Sequence, residues 1–226
     1  MKRITPNTRL QLIASLVPRG ARLADVGSDH AFLPVYLVQT VCIQEALATD
    51  INDGPILRAQ KNIASAGLSD RIQTRKCDGL DGVQTFAPDT VTVAGMGGEL
   101  IAAILDKSEY VKSHRPLLLL QPMTQVAYLR RYLAENGYEV ESEHLLQDDH
   151  RVYQIIACRY TAAPSREISA FAALVGEKTG NDPCFGVLLS KVKKQYTDII
   201  CGKRMAGQST EEEETILREI AEYETY

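Results

Sequence analysis

Three aspartates stand where apolar runs end: Asp29 in RLADVGSDHAFLP, Asp50 in ALATDIN and Asp78 in RKCDGL. The first stretch has the outline of a dinucleotide-binding turn, an apolar run closing on Asp25 and then Gly27. The later glycines that let backbone N–H groups approach a pyrophosphate are replaced by Asp29 and Ala31. A carboxylate about 4 Å from a phosphate is repelled by roughly 4 kcal/mol at an effective dielectric near 20. A ligand bearing an ammonium group reverses that sign, and S-adenosylmethionine carries one and has no phosphate. Asp29 has a second reading as the N-cap of the following helix, compatible with the first if one oxygen serves each role. Asp50, roughly two dozen residues after Asp25, is placed to accept from two ribose hydroxyls, and Asp78 from an exocyclic adenine amine. Each acid alone is an ordinary turn former. Three of them at the ends of successive strands favour a sulfonium nucleoside.

The elements that must position these acids alternate along the chain. After an amphipathic opening, TRLQLIASLV, strand-like runs cover 22–26, 45–50, 72–77, 90–94 and 117–121, with helical segments between them. In GPILRAQKNIASAGL the residues Ile56, Leu57, Ile63 and Ala64 recur at helical spacing up to a stop at Gly67. TQVAYLRRYLAENGY starts on Thr124 and stops at Gly137. YEVESEHLLQDDHRVYQIIACRY then gives two strands around Asp148, Asp149 and His150, an antiparallel hairpin. The expected fold is α/β: a seven-stranded, doubly wound, Rossmann-like sheet of the class I S-adenosylmethionine methyltransferase type. AAPSR reads as a linker, giving a methyltransferase domain over 1–160. A coiled-coil-like helical extension follows over 161–226, with Leu188, Leu189, Val192, Tyr196, Ile199 and Ile200 on one stripe. The run Glu211–Glu214 is expected to be a solvated first helical turn.

Composition narrows the classes. The 226 residues are 45% hydrophobic, enough for a core. No apolar run is long enough to span a bilayer, and MKRITPNTRLQ lacks a signal-peptide core, so a cytoplasmic protein without membrane attachment is expected. Five scattered cysteines without metal-ligand spacing read as reduced thiols, with no metal. A formal net charge of −4 leaves nucleic-acid binding to local patches.

Three segments, DVGSDHAFLPVYLV, ATDINDGPILRAQKNI and VAGMGGELI, followed by LQPM, resemble the bacterial tRNA (adenine-N1)-methyltransferases of the TrmK family. That resemblance implies methyl transfer from S-adenosylmethionine to ring nitrogen N1 of adenosine 22 in tRNA. It implies that Gly27, Ser28, Asp29 and His30 line the methionine end, Asp50 the ribose, and Asp78 and Gly79 the adenine. Asp25 and Ile51 are counted with the cofactor-binding residues, and Ala94, Gly95 and Met96 lie under the reacting centre. Many amino-directed methyltransferases end their fourth strand in Asn or Asp, two prolines and an aromatic; here Gly95-Met96-Gly97-Gly98 stands instead. Ring N1 presents an in-plane lone pair and needs no deprotonation, so proximity and orientation suffice. Asp29 and Gly97 are then catalytic by positioning, and His30 reads as a polar helix-start residue in preference to a general base. The glycines read equally as a tight strand-to-helix turn. His144 and His150 are expected to lie away from the cofactor edge.

N1 is a pairing edge and must be unstacked to be reached. The cations expected to hold tRNA are Lys191, Lys193, Lys194, Lys203 and Arg204. Lys2, Arg3 and Arg9 form a second group, and Arg130 and Arg131 a third. Tyr36 and Tyr196 are read as core aromatics more readily than as stacking partners. The competing readings are a small-molecule methyltransferase and a non-catalytic S-adenosylmethionine-binding regulator that uses the helices to dimerise. A monomer is expected.

Overall fold

In a computed structural model, which describes residues 3–224, seven strands form one sheet in the order β3-β2-β1-β4-β5-β7-β6. The strands are β1 (Leu23–Val26), β2 (Ala46–Asp50), β3 (Ile72–Lys76), β4 (Thr90–Gly97), β5 (Leu117–Thr124), β6 (Tyr138–Asp148) and β7 (Arg151–Tyr160). The first five are parallel, and β7 pairs antiparallel with both β5 and β6. The helices are α1 (Thr8–Leu16), α2 (Phe32–Gln39), α3 (Asp53–Ser65), α4 (Gly98–Lys107), α5 (Glu109–His114), α6 (Val126–Glu135), α7 (Ala170–Val175), α8 (Phe185–Met205) and α9 (Glu211–Glu224).

Side chains alternate across the sheet and so divide the core. On β5, Leu117 and Leu119 pack with α1, α2 and α3, whereas Leu118 and Leu120 pack with α4 and α6 on the opposite face. A central parallel strand is covered on both faces, which is why β1 is buried along its whole length and reads as an unbroken apolar run except for Asp25. A third cluster joins the C-terminal helices to the hairpin: Leu145 of β6 packs with Phe171, Val175, Phe185, Leu188, Val192 and Ile220.

Several expectations are corrected. On α3 the buried stripe is Ile56, Ala59 and Ile63, while Leu57 and Ala64 face solvent. Helix α6 begins at Val126, because Thr124 ends β5 and Gln125 adopts a left-handed conformation at the N-cap. The segment after 160 contains α7, capped by the Ser169 side chain, before the α8–α9 hairpin. The glutamate run is not merely solvated: Glu213 pairs with Lys203 (2.6 Å) and Glu214 with Arg204 (3.0 Å), closing that hairpin. Arg130 is no surface cation. It is buried against Glu143 (2.7 Å) and donates to Ala173 O, Leu174 O and Gln154 Oε1. Tyr36 and Tyr196 pack into the core clusters. The five cysteines are free thiols.

Candidate functional site

Parallel pairing sets the C-terminal ends of β3, β2, β1 and β4 side by side, with Val26 opposite both Thr49 and Val93 and Asp50 opposite Lys76. The three acids named from sequence therefore share one edge, where open parallel sheets bind ligands. A cavity of about 250 Å³ opens there, lined by Asp25, Gly27–Ala31, Ala94 and Arg9 of α1.

Its floor is the turn after β1. Gly27 has φ +72°, and a Cβ on it would overlap the Met96 methyl, so the missing side chain lets Met96 of β4 fold over the turn. Asp25 is buried and accepts from Ser28 Oγ (2.5 Å) and Thr92 Oγ1 (2.6 Å). Burial pushes the Asp25 carboxyl above its ordinary value, against the opposing pull of those two hydroxyls and of Arg9. Ser28 also donates its N–H to Thr49 O. Asp25 and Ser28 thus border the cavity with their side chains hydrogen-bonded to each other.

Asp29 does not cap α2. The N-cap is Ala31, in a left-handed conformation with no side-chain hydrogen bond. Asp29 is half-exposed, takes Arg58 Nε at 2.8 Å on Oδ1, and has His30 Nε2 3.3 Å from Oδ2. The His30 ring stacks on Phe32 at 4.9 Å. Asp50 accepts from Asn52 N–H through one oxygen (2.8 Å), leaving a second, and Ile51 is exposed beside it. Asp78 is exposed and 3.3 Å from Lys107 Nζ, and Gly79 backs onto Ile104.

The glycine segment of β4 departs from regular pairing on either side of Met96. Gly95 has φ +84° and is exposed. Gly98 opens α4 where any Cβ would strike the Gln125 carbonyl. The glycines of GMGG therefore build the strand-to-helix turn, and Met96 is the one side chain longer than hydrogen in that stretch. Gly97, the N-cap of α4, has only backbone groups to offer there.

Sequence reasoning missed Gln121 and misassigned Arg9. Gln121 is fully buried; its Oε1 accepts from Gly95 N–H (3.2 Å) and from Arg9, and its Nε2 donates to Pro122 O (2.7 Å). The signal was present in LLLLQP, a polar residue closing an apolar strand. Arg9, expected on the RNA-facing surface, is half-buried over the Tyr153 ring (5.8 Å to its centroid). Burial lowers its pKa, which Tyr153 and Asp25 partly restore. No carboxylate of the described residues forms an ion pair with it.

The hairpin corrects another expectation. Because β7 runs antiparallel to β5, its first residues and the turn at His150 lie at the cofactor edge rather than away from it. Thr8 Oγ1 fixes that turn to α1 through Asp148 (2.6 Å). His144 lies within β6, bonded to Ser142 Oγ (2.9 Å). Of the remaining cations, Lys193, Lys194, Arg3 and Arg131 are exposed, and Lys191 is partly buried. Lys2 lies outside the described residues, and Lys203 and Arg204 are tied to glutamates. No cluster of metal-binding side chains occurs among the described residues, and no helix among them is long and apolar enough to cross a membrane.

Comparison with known proteins agrees with this geometry. Residues 6–156 match a family described as a methyltransferase domain. The chain is 33% identical to the tRNA (adenine(22)-N(1))-methyltransferase of Bacillus subtilis, over 98% of this chain and 95% of that protein. It superposes on a Streptococcus pneumoniae protein described as a putative tRNA (m1A22) methyltransferase in complex with S-adenosyl-L-methionine. The TM-score is 0.83 at 31% identity, over 98% and 99% of the two chains. The crystal structure of B. subtilis TrmK gives a TM-score of 0.82 at 30% identity, over 97% and 96%. Acids at successive strand ends, a glycine-rich end to the fourth strand and likeness over nearly the full length converge: the chain belongs to the bacterial tRNA (adenine(22)-N1)-methyltransferase family.

Proposed function

We propose that this protein methylates N1 of adenosine 22 in tRNA with S-adenosylmethionine as donor. The observation that carries the reading is the shared edge of β1–β4: acids at three strand ends lead to a fourth strand, Ala94–Gly97, whose wall bears little side-chain bulk. The cofactor's zwitterionic methionine end needs one group of each sign. Asp29, held in place by Arg58, receives the ammonium. Arg9, without an ion-pair partner among the described residues, receives the carboxylate. Asp50 offers its second oxygen to the ribose hydroxyls, Ile51 an apolar face to the adenine, and Asp78 with Gly79 a polar edge. When bound, the cofactor supplies an electrophilic methyl group.

The protein's own work is orientation. Gln121 fixes the Gly95 amide and Arg9 together, so the wall and the charge that define the reaction centre move as one. The adenine N1 lone pair attacks without losing a proton, and no general base is assigned. His30 is kept as a ring stacked on Phe32 at the cavity mouth. Lys191, Lys193 and Lys194 of α8 contact the tRNA backbone, while Lys203 and Arg204 are withdrawn from that role because Glu213 and Glu214 neutralise them. The reading is of a monomer acting on cytoplasmic tRNA.

The test is incubation with labelled S-adenosylmethionine and unmodified bacterial tRNA, followed by nuclease digestion and nucleoside mass analysis. The expected product is 1-methyladenosine at position 22, absent when that adenosine is replaced by guanosine. Cofactor binding with no transfer to any tRNA sinks the reading.

A further inference from the structure

A second groove, of about 480 Å³, lies between the end of β5, the β6–β7 turn and the first half of α8. It is separate from the cofactor cavity but shares a wall with it. Tyr153 lines the groove and lies under Arg9, which lines the cavity. Gln121, which holds Arg9 and Gly95, also donates to Met123 Sδ (3.5 Å) on the groove side. In register, Pro122 is opposite Met96 and Thr124 opposite Gly97. The groove floor is therefore one strand spacing, about 4.8 Å, from the reaction strand, which is within one nucleotide's reach of the methylated atom.

The chemistry of the lining is one-sided. Arg151 and Lys191 contribute positive charge, Tyr153 and the exposed Met123 contribute flat or polarizable surface, and no carboxylate of the described residues lines it. Asp149, at the turn tip, lies 3.5 Å from His150. Lys191 donates to His150 O and so ties α8 to the turn, fixing the groove's width while its ammonium keeps further donors. A positive groove with an aromatic wall is how proteins hold an unstacked nucleotide, and this volume lies within the range of small-ligand sites.

We propose that this groove binds the nucleotide flanking the target adenosine, its phosphate on Arg151 and Lys191 and its base against Tyr153 and Met123. The assignment rests on the function proposed above. It gives a reason for the hairpin at this edge: the antiparallel last strand, next to β5, delivers an arginine and a tyrosine to the C-terminal edge of the parallel strands, which a parallel strand entering from the far edge would not.

The experiment combines kinetics with crosslinking on the full chain. In an Arg151→Gln/Lys191→Gln double variant, KM for tRNA is expected to rise roughly tenfold. The slope of log affinity against log salt falls by about 1.4, two phosphate contacts on a single strand. S-adenosylmethionine affinity and melting temperature stay at wild-type values, and a Lys112→Gln control on α5 changes nothing. In parallel, tRNA carrying 4-thiouridine beside the target is irradiated with wild-type protein, and the adduct is expected on a peptide containing Met123, Tyr153 or Lys191. Unchanged KM and salt slope, or an adduct mapping elsewhere, overturns the groove assignment while wild-type methylation still stands. Absence of methylation by the wild type would instead overturn the function on which it rests. A groove occupied by a second copy of the chain would appear as a dimer by light scattering whose dissociation accompanies the double substitution, and would also overturn it.

Discussion

At the scale of single residues, the outcome turns on where charges meet. Three aspartates at strand ends were legible because strand ends, glycines and acids are local signals. The partners were not, because Arg9 meets Gln121 across 112 positions and Arg58 meets Asp29 across 29. Arg9→Ala is expected to weaken S-adenosylmethionine binding by roughly 10- to 100-fold, the worth of a charge-assisted hydrogen bond of about 1.5–3 kcal/mol. Its affinity for decarboxylated S-adenosylmethionine should barely change. Calorimetric titration of both ligands decides it, since equal losses would make Arg9 a support for the cavity wall. Asp25→Asn tests the buried turn. A carboxyl raised above its ordinary 3.8 keeps its proton in the folded state over a range where the unfolded chain has lost it. Wild-type stability therefore falls as pH rises from about 4 through the raised folded value. Asparagine does not titrate and can still accept from one hydroxyl and donate to the other. The melting temperature of Asp25→Asn relative to wild type is thus expected to climb with pH across that window. A pH-independent difference would mean that Asp25 does not titrate there.

At the scale of elements, periodicity found the five parallel strands within about three residues of their ends and the hairpin by its change of rhythm. It could not give the consequence of antiparallel pairing, which carries His150 and Arg151 to the cofactor edge. It also failed for Arg130, where a charged residue on an amphipathic helix looked solvent-facing. Glu143, Gln154 and the last carbonyls of α7 all converge on this guanidinium. Gly176, at φ +91°, leaves room for Glu143, whose second oxygen accepts Lys178 N–H (3.0 Å). Removing one partner of such a buried pair strands the other's charge and costs about 3–5 kcal/mol. Arg130→Ala is accordingly expected to lower the melting temperature by roughly 6–20 °C for a chain of this size. Replacing both charges, as Arg130→Met with Glu143→Leu, should recover most of the loss. A double variant as unstable as the single one would show that the carbonyl contacts to α7, rather than the ion pair, carry the effect.

At the scale of the whole molecule, the division at residue 160 separated a strand-rich part from a helical part, and it is the connection between them that determines how the protein folds. Leu145 of β6 shares its cluster with side chains of α7, α8 and α9, Val152 of β7 packs against that cluster, and Arg130 reaches from α6 to the end of α7. Removing 161–226 would expose these apolar surfaces on the edge of the sheet and leave a buried ion pair facing water on one side. Exposed apolar patches of this kind lead to association. The fragment 1–160 is therefore expected to melt well below the full chain and to aggregate. The full chain should unfold in one transition, with far-ultraviolet circular dichroism and tyrosine fluorescence coinciding. A fragment that melts cooperatively at the temperature of the full chain would make the helices an appended arm, free to move on RNA. The geometry argues the other way: helix α8 forms one wall of the groove beside the reaction strand, and a wall anchored through the sheet's own core can hold a nucleotide in register with the methylated atom.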